Sequence, residues 1–226
     1  MSPFVYKYRL SDSVGGLLKH HRLVRNEEYA PLLLKEFLEN RSRLIEVQGT
    51  RVFEESHLFA LRHFRRTEKN KDRYHCNILD IAPTQNFNLL PQTAAWALHF
   101  AREHKAKVGW IIVSVLKPKS KIYPHIDTGI YFSTRRRYHL VLKSKGGLMT
   151  CGGETEMYKQ GEVWLFNNRV PHWVENMSEE ERIHLVLDLQ PENLLGRARN
   201  VVLWLYWGLR KGRLWRYYFG VKFPHF

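Results

Sequence analysis

Cysteine is scarce: Cys76 and Cys151 are the only two in 226 residues. That is too few for a disulfide framework and suits a reducing compartment. Long apolar runs are also missing. The longest strongly apolar stretch, Val201 to Leu209, falls well short of the roughly 20 residues that cross a bilayer as a helix. The opening Met1-Ser2-Pro3-Phe4-Val5 holds no apolar signal segment. Together these absences lead to the expectation of a cytoplasmic protein, at most peripheral at a membrane. Acidic residues are few, 22 against 36 Lys and Arg, for a formal net charge of +14. So basic a chain associates readily with nucleic acid, anionic lipid or acidic substrates, and its charge does not choose among them. Hydrophobic residues are present in ordinary amount, 44%, enough for one domain with appendages.

The pattern divides the chain into three parts: an N-terminal part, 1–107, expected to pack on a barrel, a β-rich catalytic core, 108–190, and a basic aromatic tail, 191–226. Residues 1–107 read as helical and mixed. Leu32, Leu33, Leu34, Phe37 and Leu38 recur at helical spacing behind Asn26, a plausible N-cap. Residues 41–73 alternate charge and apolar groups without clear period and read as a solvated basic loop. Tyr74 to Ile81 reads as a strand ended by Pro83, and Pro91 opens the clearest helix, to about His104. Residues 108–190 change rhythm, with short β-branched and aromatic runs separated by Gly turns. Val108–Leu116, Ile122–Asp127, Arg137–Leu142, Leu148–Cys151, Thr155–Tyr158, Val163–Phe166 and Arg182–Asp188 predict strands. Lys159-Gln160-Gly161-Glu162 predicts a hairpin turn with Gly161 at positive φ. The fold class expected is mainly β with flanking helices, built as a double-stranded β-helix (a cupin-like jelly roll).

Two short stretches carry the chemistry. In Pro124-His125-Ile126-Asp127 the i and i+2 side chains of an extended strand share a face. One imidazole and one carboxylate on one face are two legs of a facial triad, and His172, at the start of another strand, supplies the third. Two His plus one carboxylate with open positions is the ligand set of non-haem Fe(II) oxygenases. Glu175, three residues from His172, falls on the opposite side of its strand, so Asp127 is the better carboxylate. Downstream, Arg182 alternates into the interior of a buried strand and needs an anion there, which the far carboxylate of 2-oxoglutarate would supply. Arg137 and His139 share a strand face and could help hold the same acid. His184 follows Arg182 on the same face, as a site residue or a core histidine.

The run Ser114-Val115-x-x-Pro118, Pro124-His125, Arg137-x-His139-Leu140, Cys151, Gly161-Glu162-Val163, Phe166-Asn167-Asn168, His172, Asn176, Arg182 and Asp188 resembles the aspartyl/asparaginyl β-hydroxylase family. Those are Fe(II)- and 2-oxoglutarate-dependent dioxygenases with a double-stranded β-helix fold. The resemblance covers roughly residues 108 to 190. It implies His125 and His172 as iron ligands, and Arg182, Arg137, His139 and Ser114 around 2-oxoglutarate, with O2 as the oxidant. One position departs: the peptide-hydroxylating members carry Gly two residues after the first His, where this chain has Asp127. A complete triad is more like the members that act on free amino acids or lipids.

The last stretch, 196–226, holds seven basic and no acidic residues, interleaved with Trp204, Tyr206, Trp207, Trp215, Tyr217, Tyr218, Phe219 and Phe223. That composition suits an interfacial membrane segment, stacking on nucleic-acid bases, or a tail packing its aromatics on the barrel. The expected activity is hydroxylation of an unactivated C–H, on a lipid or acyl group or on an amino-acid-like group of a small molecule or peptide. The alternative is a non-enzymatic β-barrel that contacts anionic membrane or nucleic acid through its basic tail.

Overall fold

The structure is a computed structural model that describes residues 20–25, 27–64, 81–128 and 130–192. The expected strand at Tyr74–Ile81 lies almost wholly outside them, as do the aromatic tail and Cys76.

Among the described residues, eleven strands form two sheets in which every pairing is antiparallel. In chain order they are β1 (His20–Arg25), β2 (Ser56–Phe64), β3 (Ile81–Pro83), β4 (Ala106–Leu116), β5 (Lys121–His125), β6 (Arg136–Lys143), β7 (Gly147–Cys151), β8 (Glu154–Met157), β9 (Glu162–Phe166), β10 (His172–Asn176) and β11 (Arg182–Pro191). The larger sheet has seven strands in the order β1-β9-β6-β11-β4-β2-β3, and the smaller has β5-β10-β7-β8. Successive strands of the core keep switching sheets, as the expected jelly roll requires. Among the described residues, no helix is long and apolar enough to cross a membrane.

The period of two explains how one strand serves two cores. Along β11, Ile183, Leu185, Leu187 and Leu189 point outward to a helix layer, together with Val113, Val115, Tyr138, Leu140 and Leu142 of its neighbours. Two helices, α1 (Tyr29–Asn40) and α3 (Pro91–Glu103), cover that face with Leu33, Phe37, Trp96, Ala97 and Phe100. Burying each of the larger side chains contributes about 1.5–3 kcal/mol. The alternate residues Arg182, His184, Val186 and Asp188 turn inward, toward the smaller sheet. The short helices α2 (Asn86–Leu89) and α4 (Ile130–Ser133) complete the described elements with two 3-10 turns.

The structure differs from the sequence reading at several places. Ser56–Phe64 is a strand, not part of a basic loop; its charged end at Arg62 and His63 hides the alternation, while Phe59, Ala60 and Leu61 are buried. With β1 and β3, it makes the N-terminal part a builder of the larger sheet rather than a layer packed on it. The connection from β5 to β6 contains α4. Gly161 does take a positive φ of 83°, but β8 and β9 belong to different sheets, so the turn is a crossover between sheets and not a hairpin.

In α1, Leu32 and Leu38 are exposed while Glu36 is buried. Its carboxylate accepts from the backbone N–H of Gln92 (2.7 Å) and Thr93 (2.8 Å) and from the Thr93 hydroxyl (2.6 Å). α3 starts with Pro91 and has no side-chain cap of its own, so an acid from the neighbouring helix closes its N-terminus and complements its dipole. Glu36→Ala leaves those donors without an acceptor. It is expected to lower stability by about 1–2 kcal/mol, read as a lower urea midpoint at unchanged m-value, with Glu36→Gln losing less.

Candidate metal and acid-binding site

His125 closes β5 and His172 opens β10, and these two residues stand opposite each other in the register of the smaller sheet. Their rings lie 4.2 Å apart between centroids. The Nδ1 of His125 is 2.7 Å from the carbonyl of Tyr123, and that of His172 is 2.9 Å from the carbonyl of Val170. A carbonyl can only accept, so each ring carries its proton on Nδ1 and leaves the Nε2 lone pair free. A hydrogen bond of this kind sets the tautomer and ring orientation of a metal-binding histidine.

Asp127 arrives by a different route from the one the strand periodicity predicts. β5 ends at His125, and Asp127 lies beyond it, where its backbone N–H donates to the carbonyl of Asn168 (2.9 Å). Its Oδ2 is occupied twice, by Asn168 Nδ2 (2.9 Å) and by Arg137 Nη1 (2.5 Å). Oδ1 is turned toward the histidines, 3.9 Å from His125 Nε2. One ligand atom from each of His125, Asp127 and His172 lies within 4.8 Å of the other two, which fits a single metal ion bound by two imidazoles and one carboxylate. Glu175 is exposed on the other side of β10. Burial, reinforced by the neighbouring His125, lowers the His172 imidazole to about 4, so it is neutral and ligand-ready at physiological pH.

The larger sheet supplies a second polar cluster on its inner face. Arg182 is 2% exposed, and among the described residues no carboxylate is paired with it and its Nε has no hydrogen-bond partner. Burial lowers its guanidinium to about 10, so it is still a cation at neutral pH. Its Nη2 donates to His184 Nδ1 (3.1 Å), and His139 Nδ1 lies 3.3 Å from the same atom. Arginine only donates, so His184 Nδ1 is an acceptor and the proton of its neutral ring sits on Nε2. That Nε2 and the Nε2 of His139 are buried without partners. Burial and the charge of Arg182 hold both imidazoles well below the usual histidine range. Ser114, opposite His184 in the β4–β11 register, shares its face. The stem of Arg182 passes so close over Gly147 that a Cβ there would stand 2.5 Å from its Cδ. Such a buried, uncompensated cation with unfilled donors is costly unless an anion completes it, and a carboxylate suits its fork. The donor set therefore fits the far carboxylate of a keto acid such as 2-oxoglutarate.

The two clusters share one interior. From His172 the line of contact runs to Phe166 (5.2 Å between ring centroids), from Phe166 to His139 (4.9 Å), and then to His184 and Arg182. All seven residues singled out in the sequence, His125, Asp127, His172, Arg182, Arg137, His139 and Ser114, thus lie between the two sheets.

Arg137 is the one whose partners differ from expectation. It stands opposite Asp188 across β6 and β11, with Nε at 2.8 Å and Nη2 at 2.9 Å from that carboxylate, and its Nη1 goes to Asp127. Each of its nitrogens already serves a carboxylate of this chain, so Arg137 is an ion-pair partner of Asp188 and Asp127 here. Burial opposes its charge, but Asp127 and Asp188 outweigh burial and raise its affinity for the proton. Asn168 and Asp188 carry no site role in the sequence alone. Both stand in the stretch that carries the family resemblance, but no local pattern shows what they touch.

The aspartyl/asparaginyl beta-hydroxylase family model matches residues 43–191. The aspartyl/asparaginyl beta-hydroxylase of Mus musculus is 25% identical over 111 residues, which cover 48% of this chain and 15% of that protein. The chain therefore spans only a small part of that relative. Among solved structures, the fold is similar to a non-haem α-ketoglutarate-dependent carbocyclase, SnoK, from nogalamycin biosynthesis. The TM-score is 0.54 at 15% identity, covering 76% of this chain and 78% of that one. It is also similar to a prolyl hydroxylase from Trichoplax adhaerens, solved with a hypoxia inducible factor peptide fragment. There the TM-score is 0.53 at 10% identity, covering 80% and 87%.

The three buried neutral histidines have a consequence for stability. Below pH 6.5 the unfolded chain takes up a proton on each of His139, His172 and His184 that the folded chain refuses. Stability is therefore expected to fall as the pH drops through 6.5, with a slope that approaches about 1.4 kcal/mol per pH unit for each ring once the pH lies well below 6.5. Urea midpoints between pH 7 and 5.5 measure the slope, and His184→Gln should remove one ring's share of it.

Proposed function

The chain belongs to the aspartyl/asparaginyl β-hydroxylase family, and on that premise we propose that it is an Fe(II)- and 2-oxoglutarate-dependent hydroxylase. The observation that carries the proposal is Arg182: a buried cation with an unfilled Nε, in the same barrel interior as the His125–Asp127–His172 cluster. A metal cluster alone would suit many proteins of this fold. A metal cluster with an anion-deficient arginine behind it suits one that binds a dicarboxylate keto acid between them.

The chain's own residues have distinct tasks. His125 and His172 present Nε2, and Asp127 presents Oδ1, to the metal. Arg182 and the Nε2–H of His184 donate to the far carboxylate, with Ser114 and His139 beside them. Phe166 and Cys151 wall the back of His172 and keep water out. Fe(II) and 2-oxoglutarate, once bound, supply the O2-dependent oxidation of a C–H bond, with the keto acid converted to succinate and CO2.

The substrate side is where exposure remains. His125 and Asp127 keep 14% and 10% of their side-chain surface open. Phe53 lies 5.2 Å from the ring of His125, and half-exposed Trp110 and Phe132 flank Arg137. This aromatic rim supports a substrate with an apolar portion, such as an acyl group, over a fully polar one. The basic balance of the chain supports one that also carries negative charge. A lipid or an acidic amino-acid-like compound meets both conditions. The basic and aromatic composition of 196–226 supports contact with an anionic membrane surface.

The test is succinate formation from 2-oxoglutarate under air with added Fe(II). It is expected from the wild type and lost in His125→Ala and His172→Ala; a wild type without turnover on any lipid or amino-acid candidate contradicts the proposal. Arg182→Ala should still bind metal but need roughly a hundredfold more 2-oxoglutarate, since removing one partner of a buried charge pair costs about 3 kcal/mol.

A further inference from the structure

The geometry points to Arg137 as a positioning residue: clamped by Asp188, its guanidinium pins Oδ2 of Asp127 and so decides which carboxylate oxygen faces the metal. This inference rests on the metal-site reading above.

Three observations carry it. First, the clamp is bidentate. Nε and Nη2 of Arg137 meet the two oxygens of Asp188 at 2.8 and 2.9 Å, a planar match that fixes the direction of the third nitrogen. Asp188 is itself 1% exposed and cross-strand from Arg137, so the pair is anchored in two central strands. Second, Nη1 reaches Asp127 Oδ2, the oxygen that Asn168 also holds, and leaves Oδ1 toward His125. Third, the faces of the guanidinium are also engaged, with its carbon 5.0 Å from the ring centre of Phe132 and 6.0 Å from that of Trp110. Asp127 itself lies past the end of β5, where no strand ladder holds its backbone. Its side chain needs an external restraint, and Arg137 with Asn168 provides one.

The sign of the effect separates positioning from charge. A cation beside a metal ion repels it, so by Coulomb attraction and repulsion alone, removing Arg137 should tighten metal binding. Positioning predicts the reverse. Outer partners of metal ligands contribute roughly 10- to 100-fold to affinity.

The experiment is titration of the full chain with Co(II), without 2-oxoglutarate, following the visible absorption of the bound ion. Wild type, Arg137→Gln and Arg137→Lys are compared, with thermal melting of the metal-free proteins as a check on folding. Arg137→Gln is expected to bind Co(II) roughly 10- to 100-fold more weakly and with an altered band pattern. Arg137→Lys, which keeps the buried charge but not the fork, should show the same loss and carries the test if the Gln variant does not fold. Affinity and spectrum unchanged or improved in the folded variant would overturn the inference, as would a Lys variant equal to wild type. A wild type that binds no Co(II) sinks the metal reading itself, and this inference with it.

Discussion

A guanidinium taken out of water must find an anion, and this barrel buries two of them on one sheet face. Their circumstances are opposite. Arg137 has two carboxylates from its own chain, Asp188 and Asp127. Among the described residues Arg182 has none, only the nitrogen of a neutral histidine. The first arrangement is complete in the protein alone and acts as architecture. The second is incomplete in the protein alone, and a buried cation left so is expensive. The asymmetry between the two arginines marks one end of the interior as structure and the other as a place for a ligand.

The fold makes both arrangements possible. Each central strand gives its apolar residues to the helix layer and its polar residues to the space between the sheets. β11 is the clearest case, with Leu185 and Leu187 supporting the outside while His184 and Asp188 face the inside. The two histidines of the metal cluster come from the smaller sheet and the acid cluster from the larger one, so the ligands they fit must bridge the two sheets. Phe166 and His139 fill the line between them.

How much of this was legible depends on whether a feature is local. The Gly turns and short strands of 108–190 show the jelly roll, and the positive φ of Gly161 is written in its residue type. The inward face shared by Arg137 and His139 is a two-residue rule and holds. The partner of Arg137 is not local. It follows from the β6–β11 register, which places Asp188 opposite, and no pattern around residue 137 contains that. Asp127 was found through strand alternation, yet it stands beyond the strand and is turned inward by Asn168, a residue of the distant β9–β10 turn. β2 stayed hidden because Arg62 and His63 break its alternation, and Glu36 because an acid among leucines reads as the wet side of a helix until its partner helix is in view.

In the proposed function one site would hold Fe(II) through His125, Asp127 and His172 while Arg182 would hold the far end of 2-oxoglutarate. The most direct measurement is anaerobic addition of 2-oxoglutarate to the Fe(II)-loaded protein, watched for the visible charge-transfer absorption of a keto acid chelated to the metal. That band is expected in the wild type and is expected to be lost in His172→Ala. No band in the wild type, or an undiminished band in His172→Ala, would contradict it.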